Sequence, residues 1–139
     1  LLAATYAEVY RRSLAVFNAA PGRTPGIAEI IEAEFRPDVF NRETITIWLA
    51  LWGEVATNPA LSAEHHKKYS AYRSGVAEAL KHSAALRGRE IDAENLAVMI
   101  ISLIDGLWLE TCIAPDLMSA ASAKKSCYRM LEPFLGPLP

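Results

Sequence analysis

Basic charge is scarce where a nucleic-acid reader would need it. Lys and Arg number 14 against 16 Asp and Glu in 139 residues, leaving a formal charge of -2, and no segment gathers its basic residues into a stripe. On its own such a chain is a poor ligand for DNA or RNA. Cysteine is almost absent. Cys112 and Cys127 both sit in apolar helical pattern with no His or third Cys at metal-ligand spacing, which reads as free thiols in a reducing cytoplasm. No Glu has a His three positions later, so the carboxylate–histidine pairs of metal-holding bundles are missing. His65 and His66 are adjacent, hence about 100° apart on a helix, and read as surface residues. Glu78 and His82 have the spacing of a weak exposed pair. There is no glycine-rich phosphate loop and no Gly-x-Ser-x-Gly nucleophile motif, so nothing supports catalysis and no cofactor is expected. Period-two alternation is missing too, which excludes a sheet. The opening Leu1–Tyr6 lacks a basic leader and a cleavage pattern, and no signal peptide is expected.

Apolar residues, by contrast, are abundant. They make up 52% of the chain, high for a soluble monomer of one domain, and the length suits a single unit over 1–139. Much of the excess lies in Leu96–Ala114, apolar on every face yet interrupted by Asp105 and Glu110. Two carboxylates near mid-segment, with neither basic nor aromatic flanks, argue against a membrane span. A soluble helix of this kind must be covered all round. One face then packs on its own domain and the other meets a second copy of the chain.

The pattern predicts an all-α chain of six helices. The first runs from Leu1 to about Asn18, with Leu2, Tyr6, Val9, Tyr10, Leu14 and Phe17 on one stripe. Pro21, Gly22, Pro25 and Gly26 break it, and Thr24-Pro25 offers a cap and first turn for a short helix to about Glu34. Arg36-Pro37 stops that helix, and Asn41 can cap a third carrying Ile45, Trp48, Leu49, Trp52 and Val55. Ser62 can cap a longer fourth helix to about Leu86, with Tyr69, Tyr72, Val76 and Leu80 as its seam and His65, Lys67, Lys68 and Arg73 toward water. Gly88 stops it. Asp92 caps the apolar fifth helix and Pro115 marks its end. A sixth runs from about Ser119 to Leu131.

Large aromatics on three successive helices, Trp48, Trp52, Tyr69, Tyr72 and Trp108, must converge, with Asp105 one turn from Trp108. An aromatic wall with a carboxylate in low dielectric suits an organic cation. Core packing, with Asp105 bonded to a Tyr, Trp or Ser, is the alternative for each residue singly. The interface expected with a second copy carries Met99, Leu103, Gly106, Leu107 and Glu110 on the fifth helix and Tyr128 and Leu131 on the sixth. Gly106 in mid-helix costs about 1 kcal/mol relative to Ala, which close backbone approach across an interface would offset.

Ile47-Trp-Leu-Ala-Leu-Trp52, Asn58-Pro-Ala-Leu61, His66 through Arg73 and Leu103-Ile-Asp-Gly-Leu-Trp-Leu109 resemble, in order and spacing, the C-terminal domain of TetR-family transcriptional repressors, in particular the BetI-like subgroup. The resemblance covers essentially the whole chain. It implies a cytoplasmic homodimer whose last two helices, about 93–114 and 119–135, form a four-helix bundle, and a small effector bound in the domain core. The expected effector is choline or a related cationic amine, as the BetI-like resemblance suggests, or a flat hydrophobic compound. Ligand binding would shift the spacing of two N-terminal helix-turn-helix heads on an operator, with the first helix as the moving connector. No helix-turn-helix precedes Leu1, so the chain alone is expected not to bind an operator. A headless helical adaptor remains the alternative.

Overall fold

The computed structural model describes residues 2–138; Leu1 and Pro139 lie outside the described residues. Six helices follow in order: α1 Leu2–Asn18, α2 Ile27–Glu34, α3 Arg42–Thr57, α4 Pro59–Leu86, α5 Ala93–Ile113 and α6 Ala120–Leu135. There is no strand among the described residues. α5 is the centre of the arrangement. It packs most extensively on α4, then on α3 and α6, while α1 and α2 lie against α4 and one another and α2 also meets α6.

Side-chain caps set most of the helix starts. Asn41, Asp92 and Ser119 accept from the backbone N–H three residues on, at Thr44, Asn95 and Ser122 respectively. Two expected starts are displaced. α2 begins at Ile27 behind Gly26 rather than at Thr24-Pro25, and the N-terminal donor is met from outside the helix, by Ser83 Oγ accepting from Ile27 N–H at 3.1 Å. α4 begins three residues before the expected Ser62 cap, because Asn58 accepts from Leu61 N–H and Pro59 occupies the first turn, where its missing N–H costs nothing. Its end is as expected. Gly88, at φ +62°, allows Gly88 N–H and Arg89 N–H to fold back onto the carbonyls of Ala85 and Ala84.

α6 runs one turn past the expected Leu131. Pro133 lies inside the helix, where it removes one backbone bond. Leu135, 1% exposed beyond it, anchors the last turn in the core, and Gly136 at φ +79° then ends the helix.

α5 is long and apolar enough, by length and composition, to cross a membrane. Its inner face, however, is folded into this chain. Leu96, Ala97, Ile100, Ile101, Ile104 and Trp108 are each at most 5% exposed. The opposite face leaves Met99, Leu109 and Ile113 at 39%, 42% and 66% exposure, apolar surface that the protomer alone does not cover.

Candidate functional site

Away from the α4–α5 turn, α1, α2, α3, α4 and α5 surround a cavity of about 90 Å³ lined by Tyr10, Ser13, Glu34, Trp48, Trp52, His65, Tyr69, Tyr72, Ile101, Ile104, Asp105 and Trp108. All six residues expected to form a pocket, Trp48, Trp52, Tyr69, Tyr72, Asp105 and Trp108, are on its wall. The Trp48 contacts are edge-on or tilted, whereas His65 and Tyr69 stack. Tyr10 meets Trp48 at 5.3 Å and 74°, and Trp48 meets Trp52 at 6.0 Å and 39°. Such edge and tilted contacts stabilise the wall while leaving π-faces turned elsewhere.

The cavity holds two carboxylates and no matching cation. Glu34, the last residue of α2, is 9% exposed, and Tyr72 O–H donates to its Oε1 at 2.9 Å. Burial pushes the Glu34 carboxyl up to about 7 against that hydrogen bond, and the negative charge of Asp105 adds to the rise. Arg36 offsets this only from a distance, since its own ion pair is with Asp38 at 3.2 Å. Asp105 makes no hydrogen bond or ion pair among the described residues. It lies on the cavity wall yet is exposed to solvent, and the protein around it still removes enough solvation to push its carboxyl up to about 7 as well. Burial and the nearby Glu34 hold the Tyr72 hydroxyl far above its ordinary range. The indole N–H of Trp108, a residue 5% exposed, has no hydrogen-bond partner among the described residues.

His65 is the main correction to the sequence reading, which had turned it toward water. It is half-buried on the cavity wall, stacked on Tyr69 at 5.6 Å and 23°, with its Nδ1 2.6 Å from the Tyr6 hydroxyl. Burial lowers its pKa, favouring the neutral ring. With the ring proton on Nε2, Tyr6 O–H donates to Nδ1. This joins α1 to the cavity wall. Glu34 and Tyr10 were not anticipated on the wall either. The signal was present in the spacing: Ile27, Ile30, Ile31 and Glu34 form one helical stripe, as do Leu61, His65, Tyr69, Tyr72 and Val76. A polar residue continuing an apolar stripe marks a wall position.

Residues 25–136 match the family of BetI-type transcriptional repressor C-terminal domains, of the TetR class. The chain belongs to this family. It is 29% identical over 109 residues to the HTH-type transcriptional regulator BetI 2 of Chromohalobacter salexigens, a match covering 78% of this chain and 51% of that protein. It also superposes, at a TM-score of 0.76 and 28% identity, on the crystal structure of a protein assigned as a transcriptional regulator in Pseudomonas aeruginosa PAO1, over 95% of this chain and 64% of that one. The chain thus spans about half the length of the curated relative it matches.

In this BetI-type domain the residues expected at a dimer interface fall into two sets. Met99, Gly106 and Glu110 are exposed and Leu103 is partly so. Nothing lies within 4 Å of the position a Cβ on Gly106 would take. Leu107 and Leu131, at 7% and 0% exposure, are instead packed in the protomer's own core and have no surface to offer a second chain. Tyr128 is partly buried and committed within the chain, its O–H donating to Glu32 Oε1 at 2.6 Å.

Proposed function

We propose that this domain is the effector-sensing and dimerisation part of a one-component, cytoplasmic transcriptional regulator, and that its effector is a small organic cation bound in the aromatic cavity. The observation carrying this reading is the pair Glu34 and Asp105, two carboxylates without a counter-ion inside an aromatic wall. An ammonium there gains cation–π attraction and neutralises buried charge at once. Cavity size supports a small ligand. At about 90 Å³ the space is well below the roughly 300–1,000 Å³ of drug-sized pockets, which disfavours a broad flat hydrophobic effector.

The exposed apolar stripe Met99, Leu103, Gly106, Leu109 and Ile113 has the i, i+3/i+4 spacing of a helix-pairing seam. With the outer side of α6 it provides two helices per chain for a four-helix interface between copies. The effector would favour one of two arrangements of the dimer, and α1, tied to the cavity through Tyr6 and His65, would carry that preference toward a DNA-binding head. Operator binding would belong to that head and not to this domain.

The test is a thermal-shift screen of the purified chain against small amines and against hydrophobic compounds, with the mass measured in solution. A dimer stabilised by amines is expected, by about 2.7 kcal/mol at a hundredfold excess over Kd. A monomer unmoved by every amine would refute the reading and favour a helical interaction module without a small-molecule ligand.

A further inference from the structure

We propose, resting on the cationic-effector reading above, that the cavity selects an ammonium bearing N–H hydrogens over a fully alkylated one, holding it by hydrogen bonds between Glu34 on α2 and Asp105 on α5. An aromatic cage alone makes the opposite choice, because methyl groups add contact area and spread the charge over the ring faces. The acceptors on the wall decide between the two. Tyr72 occupies Oε1 of Glu34, while Oε2 and both Asp105 oxygens have no donor among the described residues. Glu34 is 9% exposed, too enclosed for bulk water to satisfy it freely, whereas Asp105 is exposed and meets water until a ligand covers it.

A quaternary cation would neutralise these carboxylates without donating to them, and would exclude the water that otherwise could. An ionised carboxylate desolvated with its lone pairs unmet is costly, and hydrogen bonds to charged groups are the stronger class. An ammonium with two or three N–H groups can donate to both carboxylates while a remaining side rests on Trp48 or Trp52. Size agrees. At about 10–15 Å³ of such space for each water, the cavity of about 90 Å³ holds the equivalent of about six to nine waters. Burial also raises the proton affinity of both carboxyls, which a donating cation would counter by favouring their ionised forms.

The experiment is calorimetric titration of the purified chain with 2-aminoethanol, its N-methyl and N,N-dimethyl derivatives, and choline, at one pH and salt concentration. This series removes N–H groups one at a time on a constant hydroxyethyl arm. Affinity is expected to fall along it, by at least about tenfold from first to last, or about 1.4 kcal/mol. Asp105→Asn, and separately Glu34→Gln with the Tyr72 contact kept, should each flatten the series, with helical circular dichroism confirming the fold. Affinity that is level or rises with methylation overturns the selection while leaving the cationic-effector function standing. Saturable binding by none of the four overturns both. A tenfold preference that persists in both variants overturns the assignment to these carboxylates.

Discussion

The two ends of the α4–α5 pair are built from different materials. Next to the turn joining them, α4 buries Val76, Ala77, Ala79, Leu80 and Ala84 and α5 buries Ala93, Leu96, Ala97 and Ile100, all at most 5% exposed and mostly small and aliphatic. At the other end the same helices carry His65, Tyr69, Tyr72, Asp105 and Trp108 around a cavity. Small side chains let the two helices approach closely and leave little space, so that end is suited to hold the bundle together. The aromatic end cannot close, because large rings at crossing helices and two carboxylates leave volume and unmet acceptors behind. Stability and binding are thereby allotted to opposite ends of one helix pair.

The largest expected effect is at the close-packed end. Leu80→Ala removes a fully buried side chain where neighbouring alanines have little freedom to collapse, and should cost about 2–5 kcal/mol, read from the urea midpoint. A loss much below this range would show that the end packs loosely and would erase the contrast.

The hollow end should respond to pH instead. The Glu34 carboxyl titrates near 7 in the folded chain against 4.5 for its ordinary value, so the folded state binds the proton more tightly. Its contribution to stability is full below about pH 4.5 and is lost as pH rises through about 7, a change on the order of a few kcal/mol. Glu34→Gln should therefore make the stability profile less steep between about pH 5 and pH 8, the slope that remains coming from Asp105, also raised to about 7, and should make the variant the more stable protein at the alkaline limit. His65, whose pKa is lowered, acts in the opposite direction on acidification. The difference between variant and parent isolates Glu34. Parallel profiles would mean that Glu34 ionises as freely as a surface residue.

The outer face of α5 runs past both ends and belongs to neither. Met99→Glu with Leu109→Glu places charge on exposed apolar surface and should leave the fold intact. Sedimentation should show the dimer weakened by roughly ten- to a hundredfold, about 1.4–2.8 kcal/mol. A dimer of unchanged strength would move the interface off this face.

Much of this division could be read from the order of residues. Asn41, Asp92 and Ser119 announce their helices through local hydrogen bonds, and five aromatic wall residues with Asp105 follow from spacing along three helices. What escaped the sequence depended on partners distant in the chain. α2 starts where Ser83, 56 residues away, receives its N–H. Pro133 is kept in α6 by the burial of Leu135, which no propensity contains. Glu34 and His65 were passed over because an acid and an imidazole at the edge of an apolar stripe usually turn to water. Only the arrival of α5 and α1 encloses them. Leu107 and Leu131 were placed on an interface because a helix apolar all round gives no sign, without its neighbours, of which apolar face is outermost.

The smallest effect tests whether the hollow end is tied to α1. Tyr6 is 1% exposed, and its hydroxyl and His65 Nδ1 satisfy one another at 2.6 Å. Tyr6→Phe keeps the ring packing on Tyr10 and Trp48 and removes one hydrogen bond, so the global cost should be about 0.5–1.5 kcal/mol. Local exchange is the more telling measurement. If the link restrains α1, its backbone amides should exchange faster in the variant by more than the global loss accounts for, while those of α5 slow or quicken only in proportion to it. Uniform change across α1 and α5 would mean that α1 is held by its apolar stripe alone, and that the contents of the cavity have no privileged route to the start of the chain.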